Sequence, residues 1–143
     1  MSQLPPNPTL KELEPLIGAW EVEVPQFGGP RGAATFEWLE GGAYLRLHAT
    51  APDPVPTSTW IVGRDDASET CTALYYDSRG VSRVYRMTFG GGVWKLWRDA
   101  PGFCQRFSGT LGDDGATIRG AWETSADGSS WEHDFDLNYT RVR

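Results

Sequence analysis

From Gly18 onward, apolar and polar residues alternate with a period of two, the signature of half-buried strands. Trp20, Val22 and Val24 fall on one face, with Glu21 and Glu23 on the other. Ile118, Gly120 and Trp122 oppose Thr117, Arg119 and Glu123. Near the C-terminus, Trp131, His133, Phe135, Leu137 and Tyr139 share a face, opposite Glu132, Asp134, Asp136, Asn138 and Thr140. The pattern predicts ten strands, over 19–25, 32–40, 43–50, 58–64, 70–77, 81–89, 92–98, 103–111, 116–124 and 130–142. Two of them mix their faces. Leu45 and Leu47 oppose Tyr44, Arg46 and His48, while Arg83, Tyr85 and Met87 oppose Val84 and Arg86. Such mixing fits a barrel with a partly polar lumen.

The connections agree with this reading. Glu40-Gly41-Gly42, Asp77-Ser78-Arg79-Gly80, Gly90-Gly91-Gly92, Asp113-Asp114-Gly115 and Asp127-Gly128 place glycine where tight turns need a positive φ. One connection is long, residues 51–57, and its three alternating prolines make it stiff and extended. Short turns imply hairpins and an up-and-down antiparallel order. Ten such strands best remove their edges by closing into a barrel, with a sandwich as the second choice.

Ahead of the strands the period is helical. Leu10, Leu13 and Ile17 lie on one stripe with Leu16 beside it, Thr9-Leu10-Lys11-Glu12 reads as a capping box, Pro15 limits the helix and Gly18 ends it. This predicts a short helix whose apolar stripe lies over one end of the barrel. Residues 1–8 are polar and proline-rich and read as a loose tail, leaving 9–143 as a single domain.

Composition narrows the partners. A net charge of −6 with scattered basic residues argues against nucleic acid and against an anionic membrane surface. No stretch approaches the about 20 apolar residues of a membrane span. The opening residues lack the basic and apolar regions of a signal peptide, which points to the cytoplasm. Cys71 and Cys104 match no metal or redox spacing and are expected to stay reduced. No nucleophile elbow, phosphate loop or zinc spacing occurs. Seven Trp, six Phe and five Tyr are a heavy aromatic load for 143 residues, and they fit either a bulky core or an aromatic-lined cavity, the width of a ten-stranded barrel favouring the cavity.

Leu10, Leu13, Pro15, Leu16, Ile17, Gly18 and Trp20, in the pattern LxxLxPLIGAW, resemble the start of calycin-like domains, as residues 131–141 resemble their close. From about residue 9 to the end, the chain is similar to the DUF1579-type group of lipocalin-like bacterial proteins, whose function is unknown. The resemblance implies a calycin barrel that holds a small apolar ligand without shared catalytic residues. Gly18-Ala19-Trp20 also matches the first half of the GxWxGxG motif of nitrobindins, ten-stranded haem barrels with a C-terminal His ligand, although Glu23 stands where the next glycine would be. Tyr139-Thr140-Arg141 reverses the Arg-x-Tyr pair with which fatty-acid-binding proteins hold a carboxylate.

The expected function is therefore non-enzymatic binding of a small, largely apolar or carboxylate-bearing molecule in the lumen, with no resident cofactor. The candidate ligand-binding residues are Trp20, Trp38, Arg46, His48, Tyr85, Trp122, His133, Phe135 and Tyr139. Trp60 and either Trp94 or Trp97 are further candidates for the lining. Arg46, Arg83, Arg86, Arg98, Arg106 and Arg119 all fall within strands, and any one facing inward needs an anion. Three other readings stay open. One is a nitrobindin-like haem protein ligated by His133. Another is a lumen-based isomerase or cyclase using Tyr, His or Arg. The last is a structural or dimerisation module, and a homodimer stays open as a partner state.

Overall fold

The computed structural model describes residues 8–29 and 31–142. Ten strands follow one another: β1 (Gly18–Glu23), β2 (Gly32–Leu39), β3 (Tyr44–Thr50), β4 (Ser58–Arg64), β5 (Cys71–Asp77), β6 (Ser82–Gly90), β7 (Val93–Arg98), β8 (Cys104–Leu111), β9 (Thr117–Ser125) and β10 (Glu132–Arg141). Each pairs antiparallel with its neighbours in sequence, and β1 pairs with β10 to close the barrel. Closure leaves no strand edge unpaired, which is how a sheet with this many short strands avoids aggregation. The strand bounds lie within two residues of the predicted ones at every strand start.

The N-terminal helix is smaller than expected. A single helical turn, Pro8–Lys11, is followed by a 3-10 turn at Glu14–Leu16 with Pro15 in it. Thr9 lies inside the first turn rather than before it, so the capping box does not open this helix. The tail expected over residues 1–8 falls, Pro8 apart, outside the described residues. Leu10, Leu13 and Leu16 nonetheless bury fully in the core, as their spacing requires.

Because the strands run up and down, the connections fall at two ends. At one end lie the N-terminal turns and the start of β1. There Leu10, Leu13, Leu16, Trp20, Leu45, Met87 and Ile118 are all buried. Arg141 fastens this end. It donates to the carbonyls of Pro15 (2.6 Å), Ile17 (2.7 Å) and Gly115 (3.0 Å), and its guanidinium lies 4.2 Å from the Trp20 ring centroid. Trp20 donates its indole N–H to the Leu16 carbonyl at 2.9 Å. Gly18 sits at φ 132°, a conformation side chains rarely adopt, and a Cβ there would meet the Arg141 guanidinium at 2.7 Å. This end is plugged by its own side chains, and the opposite end carries the site.

Alternation is broken once. On β10, His133 is opposite Glu123 but Phe135 is opposite Trp122, so Asp134 is an extra residue in a β-bulge. Phe135, Leu137 and Tyr139 face inward as expected. His133 shares the outer face with Glu123, and the inward facing expected of it is corrected. Trp131 likewise lies outside, with the Arg106 guanidinium 4.0 Å from its ring centroid.

Candidate functional site

A cavity of about 700 Å³ opens at the end opposite the N-terminal turns. Its walls come from inward positions of most strands. A girdle of rings crosses the barrel: Trp60 on β4, Tyr85 on β6, Phe107 on β8 and Trp122 on β9. Trp60 lies 4.9 Å from Tyr85 and 6.4 Å from Trp122, while Phe107 lies 5.3 Å from Trp122. Trp60 reaches the rings of non-adjacent strands β6 and β9, and Phe107 packs on Trp122 of its neighbour β9, which makes a rigid floor at low conformational cost. Leu47, Leu96, Leu137 and Tyr139 add apolar wall, and the proline loop 51–57 with Phe27 forms part of the rim.

The glycine pair Gly109 and Gly120, opposite each other on β8 and β9, makes room for this floor. A Cβ on Gly120 would stand 2.5 Å from the Phe107 ring, and one on Gly109 would stand 2.9 Å from it. The phenyl ring occupies the space that two side chains would otherwise fill. Beneath it, the buried indole N–H of Trp94 has no oxygen partner among the described residues. The rings of Phe107, Phe36 and Tyr139 surround Trp94 at 4.9, 5.7 and 5.7 Å, which supplies aromatic surface for weak N–H···π contact.

Polar groups gather near the mouth. The Tyr75 hydroxyl donates to Asp77 at 2.5 Å, and Arg79 donates to the same carboxylate at 2.6 Å. Arg79, aided by the Tyr75 hydroxyl, holds the Asp77 carboxyl well below the usual carboxylate range. Burial, with the Asp77 carboxylate beside it, pushes the Tyr75 phenol up to about 12. Further round, Tyr85 donates to the Gln105 side-chain carbonyl at 2.6 Å, and Arg83 approaches the same oxygen at 3.5 Å. Burial raises the Tyr85 phenol, against the pull of Arg83 and Arg98. Burial alone holds the Tyr139 phenol protonated far above its ordinary range.

The nine candidate residues divide by this geometry. Tyr85, Trp122, Phe135 and Tyr139 line the cavity together. Trp20 and Trp38 belong to the plugged end, outside the lining, with Trp38 opposite Leu45 beside the β2–β3 turn. Arg46 faces outward and pairs with Glu37 at 2.7 Å. His48 also faces outward, since its strand neighbour Leu47 lines the cavity, and its Nδ1 sits 3.0 Å from the Thr59 hydroxyl. His133 is exposed, with Nε2 2.9 Å from Asp136. Of the other strand arginines, Arg86 and Arg106 pair with Asp65 and Glu123 outside the barrel. Trp60 and Trp94 line the cavity and Trp97 does not. Sequence reasoning did not single out Tyr75, Arg79 or Gln105. Each sits within two residues of a strand end, where the inward face opens to the mouth, and only a fixed register identifies such positions.

The donors do not suit a haem. No His, Cys or Met is among the cavity-lining residues. The three phenols there are engaged or held protonated: Tyr75 by Asp77, Tyr85 by Gln105 and Tyr139 by burial. An axial tyrosine ligand must be a phenolate, which none of these surroundings favours. No group of three or more His, Cys, Asp or Glu among the described residues could hold a metal ion. Both cysteines are free and buried. No helix among the described residues is long and apolar enough to cross a membrane.

The arrangement defines a class: a closed ten-stranded antiparallel barrel, plugged at one end and hollow at the other. The crystal structure of Rv2717c from M. tuberculosis shares this fold, superposing with a TM-score of 0.64 over 96% of this chain and 99% of that one at 16% sequence identity. No family model matches the chain, and no curated protein matches it either.

Proposed function

We propose that the protein binds a small, largely apolar molecule in the open half of the barrel. The observation that carries this reading is the cavity of about 700 Å³, walled by Trp60, Tyr85, Phe107 and Trp122 and opening at the end opposite the N-terminal turns. Ligand sites are concave and mostly apolar, with a few polar groups that fix orientation. Here Tyr75, Arg83, Tyr85 and Gln105 supply those groups near the mouth. The likeness of the N- and C-terminal motifs to calycin-like domains supports the same reading, since calycin barrels mostly hold small apolar ligands. A cytoplasmic location is consistent with two reduced thiols.

A panel of lipophilic compounds, read by tryptophan fluorescence and melting temperature, tests it. Trp60, Trp94 and Trp122 line the cavity, so occupancy should change emission. A ligand at a hundred times its Kd should stabilise the fold by about 2.7 kcal/mol. A broad panel that changes neither signal overturns the proposal.

A further inference from the structure

Resting on that reading, we propose that the cavity selects a carboxylic acid, its carboxylate held at the mouth by Arg83 and its apolar body against the aromatic floor. Arg83, Tyr85 and Met87 occupy alternate positions of β6, and Tyr85 and Met87 are buried inside the barrel. Arg83 therefore faces inward and lines the cavity, partly buried. No carboxylate lies within ion-pair distance of it among the described residues. It makes one long hydrogen bond to Gln105 at 3.5 Å, lies beside the Tyr85 phenol, and has the Phe103 ring centroid 5.7 Å away. A guanidinium carries five donors in a planar fork, and here most of them have no partner.

The contrast with its neighbours sharpens the case. Arg46, Arg86 and Arg106 face outward and each has a carboxylate. Arg79 also reaches the cavity, but Asp77 neutralises it. Arg98, opposite Gln105, lies outside the cavity lining and donates to the Val84 carbonyl at 3.4 Å. Asp53, on the proline loop, is the one carboxylate among the cavity-lining residues, and it makes no ion pair with Arg83. Of the two arginines among the described lining residues, Arg79 is paired with Asp77 and Arg83 has no carboxylate, while Arg98, on the same inward face opposite Gln105, lies outside the lining. A guanidinium without a carboxylate matches a planar monoanion, which can accept two parallel N–H bonds. The Gln105 amide, whose oxygen already accepts from Tyr85, adds N–H donors at the same place.

The test compares dodecanoic acid, its methyl ester and dodecyl phosphate at neutral pH, by tryptophan fluorescence titration, on the wild type and on Arg83→Gln, Arg83→Lys and Arg106→Gln. A charge-assisted bond removed from a partly buried site should cost roughly ten- to a hundredfold in affinity. The acid should bind at least tenfold tighter than the ester. Arg83→Gln should erase that preference by lowering acid affinity to the level of the ester in the same variant, with circular dichroism and melting temperature reporting that the variant is folded. Arg83→Lys should retain part of the preference, and Arg106→Gln all of it. Equal binding of acid and ester by the wild type, or a preference that survives Arg83→Gln, overturns the carboxylate site and leaves the apolar cavity standing. Tighter binding of dodecyl phosphate overturns the choice of a monoanion. Binding of none of the three overturns the inference together with the cavity reading beneath it.

Discussion

Replacing Gly120 with alanine should destabilise the protein, although alanine is the better strand residue. Gly120 has no positive φ, so its backbone suits any amino acid, and removing glycine from a strand would ordinarily stabilise by about 0.5–1 kcal/mol. Against this stands the Phe107 ring. The new Cβ would lie 2.5 Å from both Cε1 and Cζ and 3.1 Å from the Leu137 carbonyl oxygen. Phe107 is fully buried and packs on Trp94 and Trp122, so it has little room to retreat. Overpacking of this kind costs ~1–3 kcal/mol. The net loss should be about 1–2 kcal/mol, a fall in Tm of roughly 3–8 °C for a domain of this size. Thermal unfolding followed by circular dichroism measures it. A double-mutant cycle locates the cause: with Phe107→Leu already in place, Gly120→Ala should cost far less, giving a coupling of about 1–2 kcal/mol. If Gly120→Ala leaves Tm unchanged or raises it, or costs the same in both backgrounds, Phe107 does not occupy the gap between the two glycines, and the floor of the cavity is wrongly described.

Three further outcomes follow from the site and its surroundings. Because Arg79 depresses the Asp77 carboxyl, its contribution to stability is complete above the ordinary carboxylate pKa and drains away only as pH falls below it. The Tm gap between wild type and Asp77→Asn should therefore be constant near neutrality and narrow below about pH 4; a gap that stays constant down to pH 3 sinks this assignment. The Tyr75 phenol is raised to about 12, so its stabilising contribution holds below the ordinary tyrosine pKa and is lost as pH rises through the folded value. Ultraviolet titration of the folded protein should show a late phenolate near pH 12 that Tyr75→Phe removes, and an unchanged titration curve in that variant would count against the Asp77 contact. His133→Ala should leave ligand-induced shifts in Tm as they are, because His133 bonds Asp136 on the outer surface; loss of binding in this variant would place the site elsewhere.

The fold was legible because several strands announced themselves by alternation and most connections by a glycine or aspartate turn. Asp77–Gly80, Gly90–Gly92 and Asp113–Gly115 each close a hairpin where expected. What alternation cannot supply is position along the barrel. Trp20 faces inward as surely as Trp122, yet it belongs to the plug, because β1 begins at that end and Leu16 covers it. Trp38 is inward for the same reason and equally remote from the cavity. Depth depends on which end the N-terminal turns cover, and that is a tertiary fact. His48 and Arg46 went astray otherwise: β3 mixes its faces, and only the burial of Leu45 and Leu47 settles which side is the interior.

His133 and Arg83 show how one extra residue decides chemistry. Both sit near the mouth end of a strand with an aromatic two residues on; alternation reads His133 as inward and leaves Arg83 open, because its strand mixes its faces. On β6 the register with β5 is unbroken from Met87 opposite Cys71 to Ser82 opposite Tyr76. Arg83 is thus committed to the face of Tyr85 and Met87, whose burial no exposed site could replace. On β10 the bulge at Asp134 absorbs one residue, and everything before it changes sides. The imidazole that would have made the lumen a metal or proton-transfer site lies outside with Asp136, while the guanidinium remains at the cavity's edge. Among the described lining residues the rings form the wall and Arg83 stands at its edge without a carboxylate, and the proposed carboxylate site rests on that placement.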